Sequence, residues 1–397
     1  MLEKGNGKTI HLLEWILPYI VLLAPYKFGI ISLDTICLGI VALLTLLRNS
    51  WKMKILPSCK PFIYFCLYAL IRDLLKIFLG PDSFQTQINR MTEYMVVLIL
   101  AIIVIDNAFS EETLYKSWKF AGTIFTLGLV YHIIQLYIFG TNIKPISIIP
   151  GYSLGVDVLY SRTRPCSFFS EPATFVTAMM PLECLAIKRN DYKWAILSTL
   201  AVLASTSTVG IVLSTIVWAY SIISHQAKRM NQIVTIVVAA VILALFLNLN
   251  VFSDSYSKLL IVANGGSTFT SRIVVGYEIV KSQSLLSLVF GTNYNIAISY
   301  VRDNLNRLST NQAYSVYYYG DNLYLNTIAA TIFRYGLIGL GLLLNPLLKA
   351  LRTKQFNFKI YIVMILFDFF GQIMLLGGSF FQMMIIISLY MNQVSKD

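Results

Sequence analysis

Charge is scarce in this chain: Asp, Glu, Lys and Arg make up only 13% of its 397 residues, about half the share of an ordinary soluble domain. Mean hydropathy is +0.69, so the composition excludes a single water-soluble domain. Histidine is scarcer still. His11, His132 and His225 lie far apart, and there is no HExxH run and no Asp-x-Asp pair to hold a metal-bound sugar nucleotide. A Walker lysine and a glycine loop following a strand are also missing, so ATP-driven chemistry has no support and no cofactor or metal is expected. The five cysteines (Cys37, Cys59, Cys66, Cys166, Cys184) show neither metal-ligand nor redox spacing. Alternating strands are absent, which excludes a porin-like barrel. No cleavable leader is expected, since Pro18 and Pro25 interrupt the first apolar stretch and no small-residue cleavage site follows it.

What is present are long apolar runs. Stretches of about 17–25 such residues are long enough to cross a bilayer as helix, and the sequence predicts helices at 11–25, 30–47, 61–79, 91–106, 118–139, 172–187, 194–208, 210–224, 232–250, 323–345, 360–376 and 380–393. The expected fold class is therefore an all-α polytopic membrane protein of about 12 spans, 1–397 forming a single transmembrane domain. The helices at 194–208, 210–224 and 380–393 are short for a span, and tilt, local thinning or a re-entrant hairpin each accounts for this.

Short loops assign the sides. With the N-terminus inside, 18 of the 31 Lys and Arg fall on the inner side, including RNSWKMK, KRNDYK, HQAKRM and KALRTK, and 10 on the outer. Eight of those ten lie in two long outer loops, 140–171 and 251–322, whose translocation does not depend on charge. The formal charge of +12 thus reads as loop topology rather than nucleic-acid binding, and both termini are expected in the cytoplasm. Arg72, Lys76 and Arg334 sit inside predicted helices. Arg72 and Asp73 are expected to pair locally, and Lys76 to snorkel toward the outer surface.

The most informative stretch is Arg162-Thr-Arg164-Pro-Cys-Ser-Phe-Phe-Ser-Glu171-Pro172. Pro172 suits a first helical turn, and Glu171 then stands where the helix dipole favours an anion. That is its structural account. Arg162 and Arg164 are either solvated loop residues or holders of a lipid-linked phosphate, onto whose oxygens a guanidinium forks. In the longer loop, Ser-Arg272 opens RIVVGYEIVKSQSLLSLVFG, which reads as an interfacial amphipathic helix. The loop carries eight tyrosines, including Tyr314, Tyr317, Tyr318 and Tyr319, most simply an interfacial aromatic belt. It closes with Asp321-Asn322-Leu-Tyr324-Leu, where Asp321 is either an N-cap or a functional acid. Gly336, Gly339 and Gly341 follow within an apolar helix, where close helix packing is the expectation.

Three local patterns resemble the Wzy-type O-antigen and capsule repeat-unit polymerases, in the superfamily that includes the O-antigen ligases. They are RPCSFFSEPATF at 164–175, ASTSTVGI at 204–211, and the long loop running from Ser-Arg272 to DNLYLN at 321–326. The ligases carry a histidine where this chain has Asp321, which favours a polymerase. The resemblance implies a GT-C-like fold in the bacterial inner membrane with two long periplasmic loops. It implies a substrate oligosaccharide linked through pyrophosphate to undecaprenol, with a chain-length regulator and a flippase of the same pathway as partners. Arg164, Arg272 and Arg334, with Arg162, would stabilise the leaving pyrophosphate without metal. Asp321 or Glu171 would orient or deprotonate the acceptor hydroxyl, and Asn322 and Tyr324 would contact sugar. The alternatives are an O-antigen ligase transferring polymer to lipid A core, or a flippase or other transporter of the lipid-linked oligosaccharide.

Overall fold

The computed structural model describes residues 11–29, 31–48, 57–79, 109–152, 164–224, 276–292, 325–375 and 377–394, with isolated positions at 51, 91–92, 94–96, 154, 236, 240 and 303. The chain is mostly helical. In order come α1 (Leu12–Ile16), a 3₁₀ turn containing Pro18, α2 (Ile20–Leu23), a two-residue-strand hairpin of β1 (Lys27–Phe28) and β2 (Ile31–Ser32), α3 (Leu33–Arg48) and α4 (Lys60–Leu79). Then follow α5 (Glu111–Ile133), which runs on through a π-turn to Ile138, α6 (Pro172–Lys188), α7 (Tyr192–Ala204) and α8 (Thr208–Ile223). Two short helices, α9 (Gly276–Lys281) and α10 (Leu285–Phe290), lie within the long loop. The chain ends with α11 (Thr327–Arg352), α12 (Lys359–Gly371) and α13 (Gly378–Val394). The expected helices at 91–106 and 232–250 lie almost wholly outside the described residues.

Among the described residues two stretches, Glu111–Ile138 and Thr327–Arg352, are long and apolar enough to cross a membrane. Apolar side chains also face outward in helical register. On α3 these are Ile40, Leu43, Leu44 and Leu47; on α4 they are Tyr64, Leu67, Ile71, Leu75 and Phe78, the last 80% exposed. Contiguous outward apolar surface of this kind marks contact with a membrane or partner.

Side-chain pairs sort the helix termini into two ends. At one, Glu14 accepts from the Ser110 backbone N–H (3.2 Å), Lys188 pairs with Glu111, Arg189 pairs with Glu112, and Tyr115 donates to Asp191 (2.8 Å). Lys188 also lies over the rings of Phe358 and Tyr390, and Phe358 stacks on Tyr390 with centroids 4.5 Å apart. The starts of α1, α5, α7 and α12 thus meet the ends of α6 and α13. At the other end, the Gln372 carbonyl accepts from Thr327 N (2.8 Å), Gln372 Nε2 donates to Thr177 (3.1 Å), and Gly371 lies against Val209. A Cβ on Gly378 would come within 2.9 Å of Ile20 O and Ala24 Cβ. These are the Glu111 end and the Thr327 end.

Several expected boundaries move: the helix expected at 11–25 is α1, a 3₁₀ turn and α2, and α11 runs on to Arg352 rather than ending at 345. Three further moves have a local reason. α5 starts seven residues early because Ser110 caps it, its Oγ accepting from Thr113 N at 3.1 Å, with Glu111 and Glu112 in the first turn. α12 stops at Gly371 because Gln372 is extended and spends its carbonyl on Thr327. The single amphipathic helix expected after Arg272 is two helices, since Ser284 caps a new start by accepting from Ser287 N (3.2 Å). α7 and α8 are both present, but α7 ends at Ala204 rather than 208, so that Ser205, Thr206 and Ser207 form the turn between them. Thr206 takes φ +55° at the turn and Ser207 caps α8, and at 1.5 Å per residue the two helices reach only about 20 and 24 Å, short of a hydrocarbon core of about 30 Å.

Candidate functional site at the Thr327 end

The Arg-Pro-Cys-Ser-Phe-Phe-Ser-Glu stretch folds as a tightly held turn. Its backbone N–H groups at Cys166 and Ser167 both donate to His132 Nδ1, at 3.3 and 3.1 Å. One ring nitrogen accepting twice requires a neutral imidazole with its proton on Nε2. Ser167 adopts φ +57°, donates from Oγ to Phe125 O (2.8 Å), and accepts from Ile146 N (3.0 Å) at its carbonyl. Gly128 makes room, for a Cβ there would lie 2.3 Å from Ser167 Oγ. Phe169 then inserts edge-on between Phe125 (4.9 Å) and Phe175 (5.8 Å). The effect is to fix the ends of the turn: Arg164 half-buried at its start, and Glu171 exposed at the N-cap of α6, its side chain making no cap hydrogen bond. The position expected for Glu171 is met, while its carboxylate is not spent on the helix. His132 was invisible in the sequence because nothing in a lone histidine near the end of an apolar helix points to a turn thirty-four residues on.

Behind α6 runs a buried polar seam. Asp368 Oδ1 accepts from Gln372 Nε2 (2.8 Å), which also donates to Thr177; Thr327 Oγ1 donates to Gln372 O (2.7 Å) and accepts from Met374 N (2.9 Å). Asn326 caps α11 by accepting from Ala329 N at 2.8 Å. This seam ties α6, through Thr177, to α11 and α12.

Arg334 lies two turns into α11, and there the helix breaks. Gly336 takes φ +69°, ψ −173°, which only glycine adopts at little cost. A break orphans the preceding carbonyls, and each finds a partner from elsewhere: Phe333 O from Thr292 N (2.8 Å), Arg334 O from Lys76 Nζ (2.8 Å), Tyr335 O from Tyr68 OH (3.0 Å). α10 packs into the gap. A Cβ on Gly336 would sit 2.0 Å from Val289 O, and one on Gly291 2.2 Å from Arg334 O. Gly336 therefore does both: it breaks its own helix and lets the backbone of α10 approach closely, as the expectation of close packing requires. A Cβ on Gly339 would meet the Cβ of Tyr335 in the preceding turn at 2.3 Å and Tyr68 of α4 at 3.4 Å, whereas Gly341 has nothing within 4 Å.

The charges of α4 are arranged otherwise than expected. Arg72 and Asp73 do not pair: Arg72 donates to Gly291 O (3.0 Å), whereas Asp73 lies 3.7 Å from Lys76 Nζ and accepts from Tyr335 OH (3.0 Å). Tyr335 OH is in turn 2.6 Å from Tyr94 OH. Lys76 does not snorkel. It is 5% exposed and Asp73 fully buried, because the broken helix offers the ammonium a carbonyl that water would otherwise have to replace.

Of the residues expected at the site, Glu171, Arg164 and Arg334 belong to segments gathered at this end. Arg162, Arg272, Asp321, Asn322 and Tyr324 lie outside the described residues. Among the described residues no group of three or more His, Cys, Asp or Glu side chains is placed to hold a metal. No family model, curated protein or solved structure matches the chain.

Proposed function

We propose that this chain is a multi-pass protein of the bacterial inner membrane, with its Thr327 end in the periplasm. In this reading it polymerises undecaprenyl-pyrophosphate-linked oligosaccharide repeat units into O-antigen or capsular polysaccharide. The observation that carries the reading is the His132-clamped turn, which holds Arg164 and an uncapped, exposed Glu171 at the end of the bundle that also receives the α11 segment bearing Arg334. A carboxylate and guanidinium groups at one end of the bundle suit glycosyl transfer from a lipid pyrophosphate. The hydroxyl of an incoming repeat unit attacks the anomeric carbon of the growing chain, forming the glycosidic C–O bond. The bond from that carbon to the phosphate oxygen breaks, and undecaprenyl pyrophosphate leaves with the electron pair. Arg164, Arg272 and Arg334, with Arg162, offset the charge that develops on the leaving group. Glu171 or Asp321 takes the acceptor proton, and Asn322 and Tyr324 contact sugar.

Deleting the gene and resolving the surface polysaccharide on a gel tests this. Lipopolysaccharide capped by a single repeat unit is expected, with the same pattern from Arg164→Ala or Arg272→Ala at unchanged protein level. Full ladders from both variants would remove those arginines from the site. Accumulated lipid-linked polymer would indicate a ligase instead. A second reading, a carrier that moves the lipid-linked repeat across the bilayer, is favoured by one observation: α11 breaks beside the buried Asp73–Lys76 pair, as helices of transporters break at their binding sites. Repeat units retained on the inner face after deletion would support that reading and overturn the first.

A further inference from the structure

We propose that the last two turns of α11 form a binding site for an anionic phospholipid of the surrounding bilayer. Lys349 and Arg352 hold its phosphate, and an acyl chain lies along the outward face of the same helix. The inference rests on the membrane reading of the chain but not on the polymerase reading, because it concerns the opposite end of the bundle.

An open hollow of about 330 Å³ is lined there by Asn345, Leu348, Lys349, Arg352 and Thr353. Steps of three and four residues place all five on one helix face. Among the described residues neither cation meets a carboxylate, whereas Lys188 and Arg189 at the same end are both paired with glutamates. The helix terminus has a cap of its own. Thr353 closes it, donating from both its backbone N–H (3.1 Å) and its Oγ1 (2.9 Å) to Lys349 O. Going back along the helix, the exposed face continues through Gly341, against which nothing packs within 4 Å, to Ile338 and Leu337. The order along this face is an apolar strip, then an amide, then two cations. A phospholipid presents acyl chain, ester and phosphodiester in the same order. The Arg352 guanidinium forks onto phosphate oxygens, Lys349 adds a point charge, and basic hollows at the cytoplasmic ends of helices take anionic headgroups.

The test uses the full chain reconstituted in bilayers of mixed phosphatidylethanolamine and phosphatidylglycerol, with either lipid supplied in photoactivatable form. Peptide mapping of the wild-type chain should place label on 345–353 from phosphatidylglycerol in about tenfold excess over phosphatidylethanolamine. The double variant Lys349→Ala/Arg352→Ala should lose the excess. Lys354→Ala, exposed nearby but outside the hollow, should keep it. Equal labelling by the two lipids, or an excess mapping to another segment, overturns the site even where alkaline carbonate leaves the chain in the bilayer. Release by carbonate overturns the membrane reading itself, and the site with it.

Discussion

At the residue scale, Asp73 and Lys76 share one turn of α4, and each makes the other's charge tolerable at a position without water. Removing one partner strands the other, which in a buried pair costs about 3–5 kcal/mol, while replacing both together costs far less. Lys76→Met should accordingly lower the unfolding temperature of the detergent-purified chain sharply, and adding Asp73→Asn should recover most of the loss. Additive losses in the double variant would mean that the two charges are not coupled. His132 invites a parallel measurement. His132→Phe keeps an aromatic ring but leaves the Cys166 and Ser167 N–H groups without an acceptor, each costing about 1–3 kcal/mol. His132→Gln keeps an acceptor within reach. Limited proteolysis between 146 and 171 should speed up in the Phe variant and much less in the Gln variant, and equal rates in wild type and Phe variant would show that the ring nitrogen does not hold the turn.

At the scale of the element, α11 is where the sequence was least legible. Its length and apolar character were plain, but Gly336, Gly339 and Gly341 read the same whether they admit a neighbouring helix or break their own. The partners that fill the break, Lys76, Tyr68 and Thr292, come from segments 40 or more residues away, and local periodicity carries no trace of them. α6 was the opposite case. Pro172 and the apolar run behind it fixed the helix within a residue, since both signals are local. The two helices of the α7–α8 pair were legible from their apolar runs, but the turn at Ser205–Ser207 was read as helix, and the early start of α5 was missed because Ser110, Glu111 and Glu112 look like loop until the cap is counted as helix. The break itself predicts a mutational effect. Gly336→Ala forces a Cβ against Val289 O at a backbone angle that L-residues avoid. It should release α10 from α11, so that protease cleavage within 276–292 accelerates several-fold, and Gly341→Ala, which meets nothing, should leave cleavage unchanged. If the two variants behave alike, the contact between α10 and the break is not what protects the loop.

At the scale of the whole molecule, the helix termini sort consistently. α5 runs from the Glu111 end, and α6 returns to it; α12 leaves that end, and α13 returns. The alternation matches the one deduced from basic short loops, although hydrogen bonds and ring contacts owe nothing to the positive-inside rule. Of those loops, the described ones at 109–117 and 188–193 meet at the Glu111 end, where Lys116 and Arg189 pair with Glu112 and Lys188 with Glu111. For α5, α6, α12 and α13 the two lines agree, and thiol accessibility decides which end faces out. Four of the five native cysteines are buried and the fifth, Cys37, half-buried, so a cysteine-less background is a conservative starting point. In that background Glu171→Cys, exposed at the Thr327 end, should react with a membrane-impermeant maleimide on intact cells whose outer membrane has been permeabilised. Lys193→Cys, exposed at the Glu111 end, should react only after the inner membrane is opened. The reverse pattern would put the His132-clamped turn in the cytosol, where no exported lipid-linked repeat unit could reach Glu171. Labelling of both from outside would break the two-ended description altogether.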